Sequence, residues 1–286
     1  MDFFNELFNL YSKIDFPEDY KELSKVDKAI SWYLADSSNQ YITSSQTNNN
    51  YILEVDIKNA FTTICNVWFD QKSDFIKELN KLQDKKARNI FIATNLKETE
   101  YLKQLNTICK MIIMGILFEI GEIQLLELKK DGAVITCNQD TYNRLNQLKN
   151  IDKKFINFIS KDFIIKVDRH LKYIRCNKTS YFWNGSDIII KGMYKYIPLK
   201  LLENQKKIFL NEKIDSENLL KIYSKKYFEI IEMNYLKDLL KDYYICSNNK
   251  YLTFDGKYNS KLKDSIIDPK NYLKMFLYPI ILSTKI

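Results

Sequence analysis

Apolar positions along the chain recur with two periods, and the places where the period changes mark the elements. Over residues 3–35 the spacing is helical: Phe4, Leu7, Phe8, Leu10 and Tyr11, then Tyr20, Leu23, Ile30 and Tyr33. Pro17 separates this stretch into two helices. Residues 36–50 are polar and predict a loop or a frayed hairpin, either closing over a site or simply connecting. From Tyr51 the period falls to two, with Tyr51, Leu53 and Val55 on one face of a strand that ends at Asp56. Helices are expected over 60–67 and 73–85, and residues 88–93 read equally as strand or helix. Residues 98–121 predict a long helix stopped by Gly121. Two apolar runs then flank Lys129-Lys130-Asp131-Gly132, and Asp-Gly between such runs is a strong hairpin signal. Beyond it, 142–160 reads as helical and 163–168 and 171–175 as strands. Residues 178–192 read as a hairpin turning at Asn184-Gly185, and 198–244 as helical. A short hairpin over 243–254 and a helix over 269–281 complete the chain. No internal repeat or Gly/Ser-rich linker appears, and Pro198 is the best place for a domain boundary.

This order of elements is α+β. At 286 residues, 45% hydrophobic and 28% charged, the chain can form one large domain or two modest ones. The net charge of +8, with 20 Tyr and 17 Phe, leans toward a polyanionic partner such as nucleic acid. Ordinary solubility charge would look much the same. The five cysteines form no CxxC pair and there is one histidine, His170, which disfavours a zinc site and fits a reducing compartment. The amino-terminal residues lack the basic-then-apolar order of a signal peptide, and the longest apolar run, 111–118, is too short to span a bilayer. A soluble cytoplasmic protein without membrane contact is the expectation.

The candidate chemistry lies in two carboxylates. Asp56 ends the 51–56 strand and Asp131 tips the later hairpin. Each has a structural reading, Asp56 as a helix cap and Asp131 as a turn residue. Together, on neighbouring strands, they are what a Mg²⁺ pair needs: oxygen ligands that leave room for waters and substrate phosphates. Lys103 and Lys110 lie seven apart on the long helix, a face for phosphates or for solvent. Lys172, Arg175, Lys178 and Lys191 cluster around the later strands. His170 has no Ser or Cys partner and reads as a packing residue.

These motifs, in this order, resemble the palm and thumb of family B DNA polymerases. Asp56-Ile-Lys-Asn-Ala-Phe-Thr-Thr-Ile64 is similar to the family's first catalytic motif, with Asp56 in the metal-ligand position and Phe61 in that of the ring beneath the incoming sugar. Lys130-Asp131-Gly132 looks like the end of its Asp-Thr-Asp motif. Lys178-Thr-Ser-Tyr181 and Ile190-Lys191-Gly192 look like the elements that grip the primer–template duplex. Ile267-Asp-Pro-Lys-Asn-Tyr272 resembles the segment that closes the thumb. The resemblance covers most of 50–286. It implies a helical segment at 1–50, a palm at 51–197 with reduced fingers helices at about 72–121, and a mainly helical thumb at 198–286.

The resemblance further implies a template-directed DNA polymerase subunit, virus- or phage-encoded, acting on primer–template and dNTPs with Mg²⁺ or Mn²⁺. Asp56 and Asp131 would be catalytic metal ligands, Phe61, Lys103 and Lys110 would meet the nucleotide, and Lys172, Lys178 and Lys191 the nucleic acid. Lys129 departs from the pattern, standing where the first Asp of Asp-Thr-Asp belongs. The fingers motif is not recognisable, and residues 1–50 leave no room for the usual exonuclease. A partner chain supplying those functions is therefore expected. Two alternatives remain: a reverse-transcriptase-like polymerase, whose first motif Asp56-x-x-x-Ala-Phe61 also fits, and an inactive polymerase-fold protein serving as a nucleic-acid-binding scaffold.

Overall fold

The computed structural model describes residues 3–26, 33–34, 40–43, 51–176, 179–192, 244–247 and 250–253. The chain divides into two compact units, one of residues 1–35 and 47–169 and the other of 36–46 and 170–286.

The first unit is a five-stranded antiparallel sheet backed by helices. Its strands are β1 (Tyr33–Leu34), β3 (Tyr51–Ile57), β4 (Ile123–Leu128), β5 (Gly132–Cys137) and β6 (Ile165–His170), in the order β1-β4-β5-β3-β6; β2 belongs to the other unit. The expected 51–56 strand and the hairpin at Asp131 are both present. Tyr33 does not close a second helix but pairs with Leu128 in β1, because the sheet supplies a partner strand that local periodicity cannot reveal.

The helices are α1 (Phe3–Tyr11), α2 (Glu18–Ser24), α3 (Ala60–Trp68), α4 (Asp74–Lys81), α5 (Lys85–Leu96), α6 (Glu100–Ile120), α7 (Gln139–Asn146) and α8 (Lys154–Ile159). Side-chain caps set three of their starts. Ser73, Asp84 and Asn138 accept from the backbone N–H groups of Ile76, Ala87 and Thr141. The Asp84 cap settles the 88–93 ambiguity in favour of helix: α5 then buries Ile92 and Leu96, one turn apart. The expected 142–160 helix is broken by a 3₁₀ turn (Leu148–Asn150). It resumes where Glu119, on α6, accepts from Ile156 N at 3.2 Å and so caps α8.

The core lies between the sheet and α6, which is buried almost all round and packs on β3, β5, α1, α3 and α8. Leu53, Val55 and Ile57 of β3 meet Ala133 and Ile135 of β5 on this face. Each buried Leu, Val or Ile side chain here contributes about 1.5–3 kcal/mol. α6 packs directly on α8 at Gly115. A Cβ on Gly115 would lie 2.3 Å from the ring of Phe155, itself 1% exposed.

The second unit holds a four-stranded antiparallel sheet, β2 (Gln40–Thr43), β7 (Lys172–Cys176), β8 (Thr179–Trp183) and β9 (Ile188–Gly192), in that order. The β8–β9 hairpin turns through 184–187, one residue beyond the expected Asn184-Gly185 centre: Asn184 N donates to Asp187 O, and Asn184 Oδ1 accepts from the backbone N–H groups of Ser186 and Asp187. A separate pair, β10 (Tyr244–Ser247) and β11 (Lys250–Thr253), is the expected short hairpin. Pro198, the expected 198–244 and 269–281 helices, the 267–272 segment and Lys178 lie outside the described residues. Among the described residues no helix is long and apolar enough to cross a membrane.

Gly115→Ala should cost about 1–3 kcal/mol by overpacking against Phe155. Urea denaturation should show that loss, and adding Phe155→Leu should recover part of it.

Candidate functional site

Antiparallel pairing fixes the site. Asp56 of β3 lies opposite Gly132 of β5, and Ile57 N donates to Asp131 O at 2.9 Å. Asp131 is thus tied by its backbone to the residue after Asp56. A Cβ on Gly132 would lie 2.7 Å from Val55 O and 3.1 Å from Asp56 Oδ1. Glycine here leaves the Asp56 carboxylate the space beside the hairpin, which no other residue would.

Alternation along β3 sends Leu53, Val55 and Ile57 into the core and Glu54 and Asp56 to the opposite face. Beyond Ile57 the chain turns sharply. Asn59 has φ 53° and ψ 39°, the only positive φ outside glycine among the described residues. Asn tolerates this left-handed geometry, and it delivers the chain into α3, whose first turn carries Phe61, half-buried against the core.

The sheet face bearing Asp56 is strongly charged. Glu54 and Glu127 both lie opposite Val134, from β3 and β4 respectively. They are 5% and 1% exposed. Lys129 Nζ reaches Glu54 Oε1 at 3.2 Å and Glu127 Oε2 at 4.0 Å. The lysine that departs from the polymerase pattern therefore engages two glutamates that the apolar strand pattern had hidden. A period-two reading could have found them: Glu54 is two residues before Asp56, and Glu127 two before Lys129. On β6, Lys166 pairs with Asp168. The Lys166 amine is pushed up, chiefly by that hydrogen bond, with the charges of Glu54 and Asp56 adding to it.

Beneath the sheet, burial holds the Cys109 thiol of α6 well above its usual range, and the charges of Asp131 and Asp56 raise it further. Both carboxylates bear on this one buried group. Burial also pushes Cys65 and Cys137 up to about 12.

The other expected residues are dispersed. Lys103 is exposed and pairs with Glu100 at 3.0 Å. Lys110 is 2% exposed and its amine donates to Lys25 O. The two lysines do not form a shared basic face, because α6 is a core helix at Lys110 and a surface helix at Lys103. In the second unit, burial lowers the Lys172 amine, and Lys191 Nζ lies 5.8 Å from the Phe182 ring centroid. His170 is buried and packs on Phe182 at 4.5 Å.

Among the described residues, no three His, Cys, Asp or Glu side chains gather as a metal site. Asp56 and Asp131 are the residues that would hold a cation of a different class: Mg²⁺ binds through one or two carboxylates, keeps several waters and completes its shell with substrate phosphates. Hard oxygen donors and the space kept by Gly132 suit that ion. The sequence matches no protein-family model and no curated protein.

Two outcomes are expected. Gly132→Ala should lose about 1–3 kcal/mol in denaturation, since a backbone carbonyl must shift to admit the methyl. Cys65, Cys109 and Cys137 should resist iodoacetamide at pH 8 in the native chain and react once urea unfolds it, because alkylation needs the thiolate. Mass spectrometry reads both states.

Proposed function

We propose that the chain is a template-directed DNA polymerase subunit, transferring a nucleotide to a primer 3′-OH, with Asp56 and Asp131 as the metal-binding carboxylates. One observation supports the reading: two carboxylates at adjacent ends of antiparallel neighbours, one opposite a glycine where any side chain would crowd its carboxylate. Bound divalent cations would activate the attacking hydroxyl and neutralise the triphosphate. The chain's own residues would hold and orient. Asp56 and Asp131 present oxygens from a rigid strand end and its hairpin. Phe61, on the first turn of α3, would bear on the sugar. Lys172, Lys178 and Lys191 would position the duplex through its phosphates without choosing sequence. The palm and thumb assignment, and a partner chain completing the fingers, belong to the same proposal.

A second reading, a nucleic-acid-binding scaffold without catalysis, is favoured by one observation: Lys129 places a cation on the acidic face. Primer extension on a DNA template with Mg²⁺ or Mn²⁺ separates the two. The polymerase reading expects extension by the wild type and a loss of at least about 100-fold in Asp56→Ala and in Asp131→Ala. Binding to duplex DNA without extension would support the scaffold. Extension undiminished in either variant would remove that carboxylate from the site.

A further inference from the structure

The expected 142–160 helix breaks at the 3₁₀ turn Leu148–Asn150, and the break leaves a cleft of about 690 Å³ between α7, α8 and the start of β6. That volume falls in the range of about 300–1,000 Å³ typical of small-molecule sites. Ile116 of α6, with Ile156 and Ile159 of α8, forms its base, on the side of the sheet away from the Asp56 carboxylate. Ile164 stands at its edge, 60% exposed. Polar side chains ring this apolar wall. Lys149, Lys161 and Asp162 line the cleft, and among the described residues none of the three is held in an ion pair. Asn150 and Ser160 line it too, and neither side chain has a hydrogen-bond partner among the described residues. A second cleft, of about 710 Å³ between α1 and α2, differs in this respect. Its lysines, Lys21 and Lys25, pair with Glu18 and Glu22, and its Tyr11 hydroxyl donates to Ser24 O. The cations of that cleft are matched within the chain, whereas those of the first are left for a ligand.

We propose that the cleft at Ile164 is a binding site for a small amphipathic anion: a flat aromatic or short acyl body seated on Ile164, and a singly charged head, a carboxylate or sulfonate, met by Lys149 and Lys161. Covering Ile164 takes apolar surface out of water. The two amines give the head its place at the rim through charge-assisted hydrogen bonds, and Asn150 and Ser160 add groups that fix its orientation. Asp162 sets the charge of the ligand. Against two ammonium groups it leaves the lining with one positive charge, which a monoanion balances and a dianion exceeds. The site stands apart from the carboxylate pair and needs neither metal nor nucleic acid.

The test is fluorescence titration of the native full chain with 8-anilinonaphthalene-1-sulfonate, a monoanion with an aromatic body. The wild type is expected to bind it saturably. Ile164→Asp should weaken binding about tenfold or more, by removing the apolar seat and adding a like charge. Lys149→Glu combined with Lys161→Glu should also weaken it about tenfold. Asp162→Asn should tighten it about two- to fivefold, the scale of one exposed charge. These four side chains lie at the surface, so circular dichroism should show the fold unchanged in every variant. Phe8→Asp, in the second cleft, should leave binding as it is. No saturable binding, binding unaltered in the Ile164 and lysine variants, or loss in Phe8→Asp instead would overturn the site. Weakening in Ile164→Asp with the lysine and Asp162 variants unchanged would overturn the choice of an anion.

Discussion

The register of β3 against β5 is the constraint on which the rest of the first unit depends. Because side chains alternate along a strand, a slip by one residue would send Asp56 into the core and Val55 to the charged face. Several independent features hold the register. Leu53 lies opposite Ile135 and Val55 opposite Ala133, all packed beneath the sheet with α6. Gly132 admits Asp56 where a larger residue would strike Val55 O. At the far end of β3, Tyr51 stacks on Tyr142 with ring centroids 4.8 Å apart, and the Arg169 guanidinium lies 4.3 Å from the centre of the Tyr51 ring. Asp56 is therefore placed by packing on one face of the sheet while its carboxylate lies on the other.

That other face is costly. Two buried glutamates sharing one lysine form an arrangement that apolar residues of similar volume would often equal or exceed in stability. The same logic separates Lys110 from Lys103. One amine is spent inside the core on a backbone carbonyl, and the other stands in solvent beside Glu100. Spacing on a helix says which residues share a face, and only packing says whether that face meets solvent.

Much of the sheet was legible in the sequence because its signals are local. The alternation of Tyr51, Leu53 and Val55, the Asp131-Gly132 turn and the Asn184-Gly185 hairpin all specify structure over a few residues. The long helix ending at Gly121 was equally clear. What stayed hidden depended on distant partners. Tyr33 joins a strand only because β4 offers an edge. The helix after Tyr142 breaks where Glu119, far away in sequence, caps its second half. Within the candidate site, Asp56 and Asp131 could be named from strand ends and turn chemistry. The Glu54–Lys129–Glu127 cluster was missed, because two charged residues inside apolar runs look like ordinary strand interruptions unless their period-two spacing from Asp56 and Lys129 is followed.

In the proposed site, Asp56 and Asp131 converge on one cation-binding position. Anomalous diffraction from crystals of the full chain soaked in Mn²⁺ and a nucleoside triphosphate tests it most directly. The account requires a manganese peak within about 2.3 Å of an oxygen of each carboxylate. Manganese found only elsewhere, or the amine of Lys129 lying between the two aspartates in its place, would contradict it.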